Sequence, residues 1–149
     1  NLTRLRLEAE VVEADAATWR PEEPADAVLL DAPCTATGTI RRHPDILRNK
    51  RATDVAALTA IQDAMLANAA AMLRPGGRLI YAVCSLQPEE GEGAVARAGA
   101  PLHRDPIAPA ELPGLADAIT RDGVLRTTPA LWPERGGMDG FFAARLIRT

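Results

Sequence analysis

Residues 27–34 read Ala27-Val28-Leu29-Leu30-Asp31-Ala32-Pro33-Cys34, and residues 78–85 read Arg78-Leu79-Ile80-Tyr81-Ala82-Val83-Cys84-Ser85. Each is a short apolar run that reaches a cysteine at its end. Runs of this kind predict strands buried on both faces, as in a parallel sheet. Neighbouring parallel strands bring their C-terminal ends to one edge, the edge at which open α/β sheets bind ligands. Two thiols there, with Asp31 and Pro33 beside them, point to covalent chemistry. Read singly, Asp31 is also a strand-end cap and Cys34 a small buried filler, since free cysteine is commonly buried.

Working outward, Ala52 to Leu73 predicts the longest helix. Leu58, Ile61, Met65, Ala69 and Met72 recur at spacings of three and four, and Pro75-Gly76-Gly77 stops it. Thr35 to Lys50 mixes glycine, threonine and basic residues without a period and predicts a long functional loop. After Cys84, Pro88-Glu89-Glu90 opens a helix reaching about Ala98, with acids in the first turn where the dipole favours them. Ala100 to Pro113 reads as irregular. Val124–Thr128 and Phe141–Ile147, on either side of Gly136-Gly137-Met138-Asp139-Gly140, predict an antiparallel pair. Toward the N-terminus, Asn1–Leu7 reads as the tail of a helix and Glu10–Ala14 as a short strand that ends at Asp15. The expected architecture is one α/β domain over residues 1–149, with a mostly parallel sheet and an antiparallel C-terminal strand pair.

The composition is that of an ordinary globular protein: 149 residues, 47% hydrophobic and 25% charged. Net charge is −3, so no global basic field calls for a polyanion. Basic charge is gathered instead at Arg41, Arg42, Arg48, Lys50 and Arg51, opposed only by Asp45, a patch suited to docking one anion. Two cysteines exclude a disulfide-dense secreted scaffold. No run of about 18 consecutive apolar residues and no signal-peptide pattern is present, so a cytoplasmic location is the default and no membrane partner is expected.

The candidate site residues gather around the two strand ends. A helix starting after Cys84 would favour its thiolate through the positive end of the dipole. Glu89, Glu90 and Glu92 oppose this, and their simpler role is helix capping. Asp15 is a candidate acceptor for a nucleoside, or a solvated strand-end acid. His43, within Arg41-Arg42-His43-Pro44-Asp45, is a candidate phosphate contact, although a solvated basic loop has the same pattern. Two cysteines and two histidines without close spacing make no zinc site, so no metal is expected. Neither a Gly-x-Gly-x-x-Gly nor a P-loop pattern occurs.

Together, DAPCTATGTIRRHPDI (31–46), YAVCSLQPEEGE (81–92) and DGFFAARL (139–146) resemble the RNA cytosine-C5 methyltransferases of the Nop/Sun (Fmu) family, bacterial ribosomal RNA type. The resemblance runs from Asp15 onward. It implies a Rossmann-like methyltransferase fold, S-adenosylmethionine as cofactor and RNA, most naturally ribosomal RNA, as partner. It implies that Cys84 is the nucleophile, that Cys34 assists product release, and that Asp15 and Asp31 contact the cofactor. Pro33, Arg41, Arg42 and His43 would then meet the RNA. Two positions depart from the family: Val83 stands where threonine is usual, and Gly91 where asparagine is frequent. The family's glycine-rich cofactor loop has no counterpart in these residues. The chain is therefore expected to be a C-terminal portion of the catalytic domain, inactive alone, whose exposed sheet edge invites self-association. Two other readings remain at this level: a Rossmann-like methyltransferase with a non-RNA substrate, and a catalytically silent RNA-binding or assembly domain.

Overall fold

A computed structural model describes residues 1–149. Its elements are α1 (Leu2–Leu5), β1 (Ala25–Asp31), α2 (Ile46–Asn49), α3 (Ala52–Met72), β2 (Leu73–Val83), α4 (Glu92–Ala98), β3 (Leu102–Arg104), β4 (Leu125–Thr127) and β5 (Phe141–Arg148). One five-stranded sheet runs in the order β1-β2-β5-β3, with β4 also paired to β5. The connection from β1 through α3 to β2 is a crossover between parallel neighbours, registered from Ala27 opposite Arg78 to Asp31 opposite Ala82.

β2 lies at the heart of the sheet. Its alternate residues Leu79, Tyr81 and Val83 are wholly buried and meet Leu66, Ala69 and Ala70 of α3 and Phe142 of β5 in one core. The Tyr81 and Phe142 rings pack edge to face, with centroids 6.3 Å apart. Burying an aliphatic side chain of this size contributes about 1.5–3 kcal/mol, so the strand that carries Cys84 is firmly fixed.

The α/β architecture and the antiparallel β4–β5 pair are as expected, but the balance within the sheet is not. Of the four strand pairings only β1–β2 is parallel; β5 runs antiparallel to β2, β3 and β4. The short β3 lies in the stretch expected to be irregular, recruited by three residues of register with β5. β1 is not buried on both faces either. Leu30 is buried against α3, whereas Leu29 is 75% exposed. β1 is the outermost strand, and only its α3 side is covered. Glu10–Ala14 joins no strand and is exposed, because it finds no ladder to complete.

α3 keeps most of its predicted stripe, with Ala69 buried, Met65 packed against the core and Leu58 and Met72 half-buried, but its centre is shifted away from Ile61. Its buried residues are Gln62, Leu66, Asn68, Ala69 and Ala70, while Ile61 stays 46% exposed. Two amides hold it in that rotation. Asn68 donates to the carbonyls of Ala16 (3.0 Å) and Trp19 (2.7 Å) and accepts from Arg20 Nε, and Gln62 donates toward the β1 exit loop. By length and composition α3 could cross a bilayer; these inward amides bind it to loops of its own domain instead.

Candidate active site

The β1–β2 ladder closes with the Ala32 N–H donating to the Ala82 carbonyl at 3.0 Å. Beyond that bond both chains leave the sheet, and two residues further on their thiols meet: Cys34 Sγ and Cys84 Sγ are 3.5 Å apart. Both cysteines are free and half-buried. Burial pushes the Cys34 thiol up to about 12, with the neighbouring Cys84 adding to the rise and the Ala36 N–H opposing it. Cys34 therefore keeps its proton at neutral pH, and either sulfur can donate in the contact between them.

Beneath the thiols lies a polar cluster, and its centre is Glu90, which is wholly buried. Glu90 Oε1 accepts from the Thr35 N–H (2.9 Å) and Gln62 Nε2 (3.1 Å); Oε2 accepts from the Thr35 and Ser85 hydroxyls, each at 2.5 Å. Gln62 Nε2 also donates to the Pro33 carbonyl at 2.9 Å. Thr37 Oγ1 accepts from the Leu86 N–H and lies 3.2 Å from Ser85 Oγ. Glu90 is thus no helix cap. Residues 88–91 form a turn ahead of α4, and the Glu90 side chain points inward while Tyr81 Oη donates to its carbonyl at 2.7 Å. Glu92 alone of the three acids takes the first turn of α4, where it pairs with Arg126 at 2.6 Å.

Behind the thiol loop a glycine pair closes the wall. The Gly38 N–H donates to the Cys84 carbonyl (3.0 Å), and the Gly140 N–H donates to the Gly38 carbonyl (2.8 Å). A Cβ on Gly38 would fall 2.0 Å from the Gly140 oxygen, so only glycine allows this approach. Here DAPC-TATG, YAVCS and DGFF, distant in sequence, become one surface.

The expected ligand-binding residues are dispersed around this centre. Asp31 is exposed at the end of β1, with no side-chain hydrogen bond. Pro33 is exposed one residue before Cys34. Asp15 sits at no strand end. It heads a turn, with Oδ1 accepting from the Ala17 N–H at 2.9 Å. The basic loop is partly committed: Arg41 donates to the Gly136 carbonyl (2.9 Å), and Arg42 binds Asp139 through Nε (2.5 Å). His43 is exposed. A groove of about 790 Å³ is lined by Thr35, Thr37 and Gln87, by the first turns of α3, by the cations Lys50, Arg51 and Arg97, and by the acids Asp63 and Glu89.

Glu90, Gln62 and Ser85 are the members of the site that sequence reasoning missed. Gln62, a polar residue between Ile61 and Met65 of the apolar stripe, was the available signal.

Residues 1–147 match the model of the family described as 16S rRNA methyltransferase RsmB/F. Ribosomal RNA small subunit methyltransferase B of Pseudomonas putida is 42% identical over 151 residues, which cover 99% of this chain and 33% of that protein. Its counterpart in Erwinia tasmaniensis is 41% identical with the same coverage. The chain spans about a third of the length of these curated relatives. Among solved structures, NSun6 from Pyrococcus horikoshii with SFG superposes with a TM-score of 0.74 at 28% identity, covering 99% of this chain and 36% of that one. A methyltransferase homologue from the same organism gives 0.60 at 28% identity, covering 85% of this chain and 40% of that one.

Proposed function

The chain belongs to the 16S rRNA methyltransferase RsmB/F family, and on that footing we propose that its protein transfers a methyl group from S-adenosylmethionine to C5 of a cytosine in ribosomal RNA. Residues 1–149 serve as one folded unit of the catalytic domain. The supporting observation is the 3.5 Å thiol pair at the ends of two parallel strands.

Cytosine C5 is a poor nucleophile. Cys84 sulfur, as thiolate, forms a bond to C6 and pushes electron density onto C5. When bound, S-adenosylmethionine would supply a sulfonium-activated methyl group; its transfer to C5 would break the methyl–sulfur bond, whose electron pair stays on sulfur as S-adenosylhomocysteine leaves. A base takes the C5 proton, the C6–S bond breaks, and its electron pair returns to Cys84. Cys34, protonated and within reach of that sulfur, donates to the departing thiolate and speeds release. Splitting one hard substitution into addition and elimination is the gain of covalent catalysis.

The residues present suit part of the cofactor. Asp31 has a carboxylate free of protein partners at the end of β1, three residues before Cys34, and Asp15 keeps one oxygen uncommitted. Such acceptors match amino and hydroxyl groups of S-adenosylmethionine. SFG, which accompanies the NSun6 relative, is an analogue of that molecule. RNA phosphates are met by His43 and the exposed flanks of Arg41 and Arg42. The groove lined by Lys50, Arg51 and Arg97 takes the strand next to the target base, which leaves its stack to reach the thiols. Action on ribosomal RNA sets this chemistry in the bacterial cytoplasm.

The test uses the full-length protein with S-adenosylmethionine and undermethylated ribosomal RNA. Cys84→Ala should abolish methyl transfer, and Cys34→Ala should trap a covalent RNA–protein adduct. Full activity of Cys84→Ala would overturn the nucleophile assignment.

A further inference from the structure

Past the Ala32–Ala82 bond no sheet ladder holds the two cysteine loops together, yet their sulfurs stand in contact. The structure assigns this task to Glu90: we propose that it is a positioning residue, a buried clasp that sets the Cys34–Cys84 spacing for addition and release without touching either sulfur. The inference rests on the covalent mechanism proposed above.

The geometry is reciprocal. One carboxylate holds the N–H and hydroxyl of Thr35, which follows Cys34, and the hydroxyl of Ser85, which follows Cys84. Its grip is therefore one residue from each thiol. The proton inventory fits an acceptor at the centre, since the Thr35 and Ser85 hydroxyls, 3.1 Å apart, both give their protons to Glu90. Thr37 takes the Leu86 N–H and gives its own proton to Ser85 Oγ; Ser85 takes the Gln87 N–H as well and gives its proton to Glu90. Gln62 anchors the clasp to α3, giving both of its amide protons to acceptors, the Pro33 carbonyl and Glu90. That orientation leaves Gln62 Oε1 buried without a hydrogen bond. An orphaned buried oxygen is costly, so the clasp outweighs the satisfaction of Gln62 itself. No salt bridge offsets the Glu90 charge; directed hydrogen bonds alone do, and they carry orientation as well as energy.

The experiment compares full-length wild type with Glu90→Gln and Ser85→Ala. Two quantities are read: kcat and KM for methyl transfer to ribosomal RNA, and the rate at which dibromobimane bridges Cys34 to Cys84, normalised to alkylation of each thiol alone. Glu90→Gln keeps the shape but turns an NH₂ toward the hydroxyls. It should lower kcat about 100-fold, as small misplacements in an active site do, with KM for RNA within about twofold, and slow bridging about tenfold. Ser85→Ala removes one donor, so it should lower both rates in the same direction by less. It keeps the question open to measurement should Glu90→Gln fold poorly. Unchanged kcat and bridging per folded molecule would overturn the clasp. Bridging needs no methyl transfer, so a wild type that bridges rapidly but transfers nothing would sink the proposed activity and leave the clasp standing.

Discussion

Cys34 should be a sluggish nucleophile in the folded protein, and the amount can be worked out. Burial pushes its thiol from 9.0 to about 12. At any pH well below 9 the thiolate fraction therefore falls about 1000-fold. A more basic thiolate is also more reactive, by a Brønsted exponent of about 0.4–0.5, which returns about 15- to 30-fold. The net expectation is that Cys34 alkylates about 30- to 60-fold more slowly in the folded protein than in urea at the same pH. Partial solvent access narrows the ratio and steric cover widens it. The assay is iodoacetamide labelling at pH 7.5, with each cysteine followed by peptide mass spectrometry. In Cys84→Ala, the charge and hydrogen bond that add to the rise are removed. Cys34 labelling should then quicken but stay below the unfolded rate, because burial is the larger cause. Cys34 labelling in the native protein as fast as in urea would refute the assignment of Cys34 as the resident thiol.

Two further outcomes follow from particular contacts. Gly38→Ala would set a Cβ 2.0 Å from the Gly140 oxygen and 2.9 Å from the Cys84 oxygen, both backbone. We expect a loss of about 2–3 kcal/mol or more in chemical denaturation, together with loss of methyl transfer; unaltered melting would show that the 38–140 approach is loose. Arg145 forks onto Glu111 at 2.7 and 3.2 Å, and with the Ala108 N–H it holds that exposed carboxyl near 2, below its usual 4.5. A lowered carboxylate stabilises above its unfolded value. Wild type should therefore exceed Glu111→Gln at neutral pH, and their stabilities should converge as pH falls from 4.5 toward about 2, read by urea titration at each pH. Parallel curves across that window would contradict the pairing.

Strands β1, β2, β4 and β5 and the meeting of the thiols were legible because they depend on local apolar runs and on one rule of parallel neighbours. β1 was misjudged as buried on both faces because an apolar run records a strand's composition but not whether the sheet continues beside it; Leu29 and Leu30 look alike in sequence and differ in exposure from 75% to 8%. The parallel share was overestimated because β5 lies far along the chain, and its insertion beside β2 is settled by side-chain fit such as Phe142 against Tyr81. Helix periodicity located Met65 and Ala69 of α3 on the buried side but missed at Ile61, for a different reason. The stripe through Ile61 is the more apolar, but Gln62 and Asn68 have buried partners to satisfy, and unmade buried hydrogen bonds outweigh one exposed isoleucine.

That same competition explains why the misread residues are the ones that organise the site. Glu89 and Glu90 are chemically almost identical neighbours, and helix-start statistics treat them alike. Their fates diverge because Thr35 arrives from the other motif with two donors, and Ser85 from its own. A carboxylate can be buried only where such donors converge. Converging them draws the two cysteine loops together, so the Glu90 cluster and the thiol contact are coupled. An apolar filler at that point would pack as well at several loop spacings. A charge that needs four directed donors tolerates one, and that selectivity suits the proposed reaction, in which one sulfur would add to a ring while the other waits within hydrogen-bonding reach.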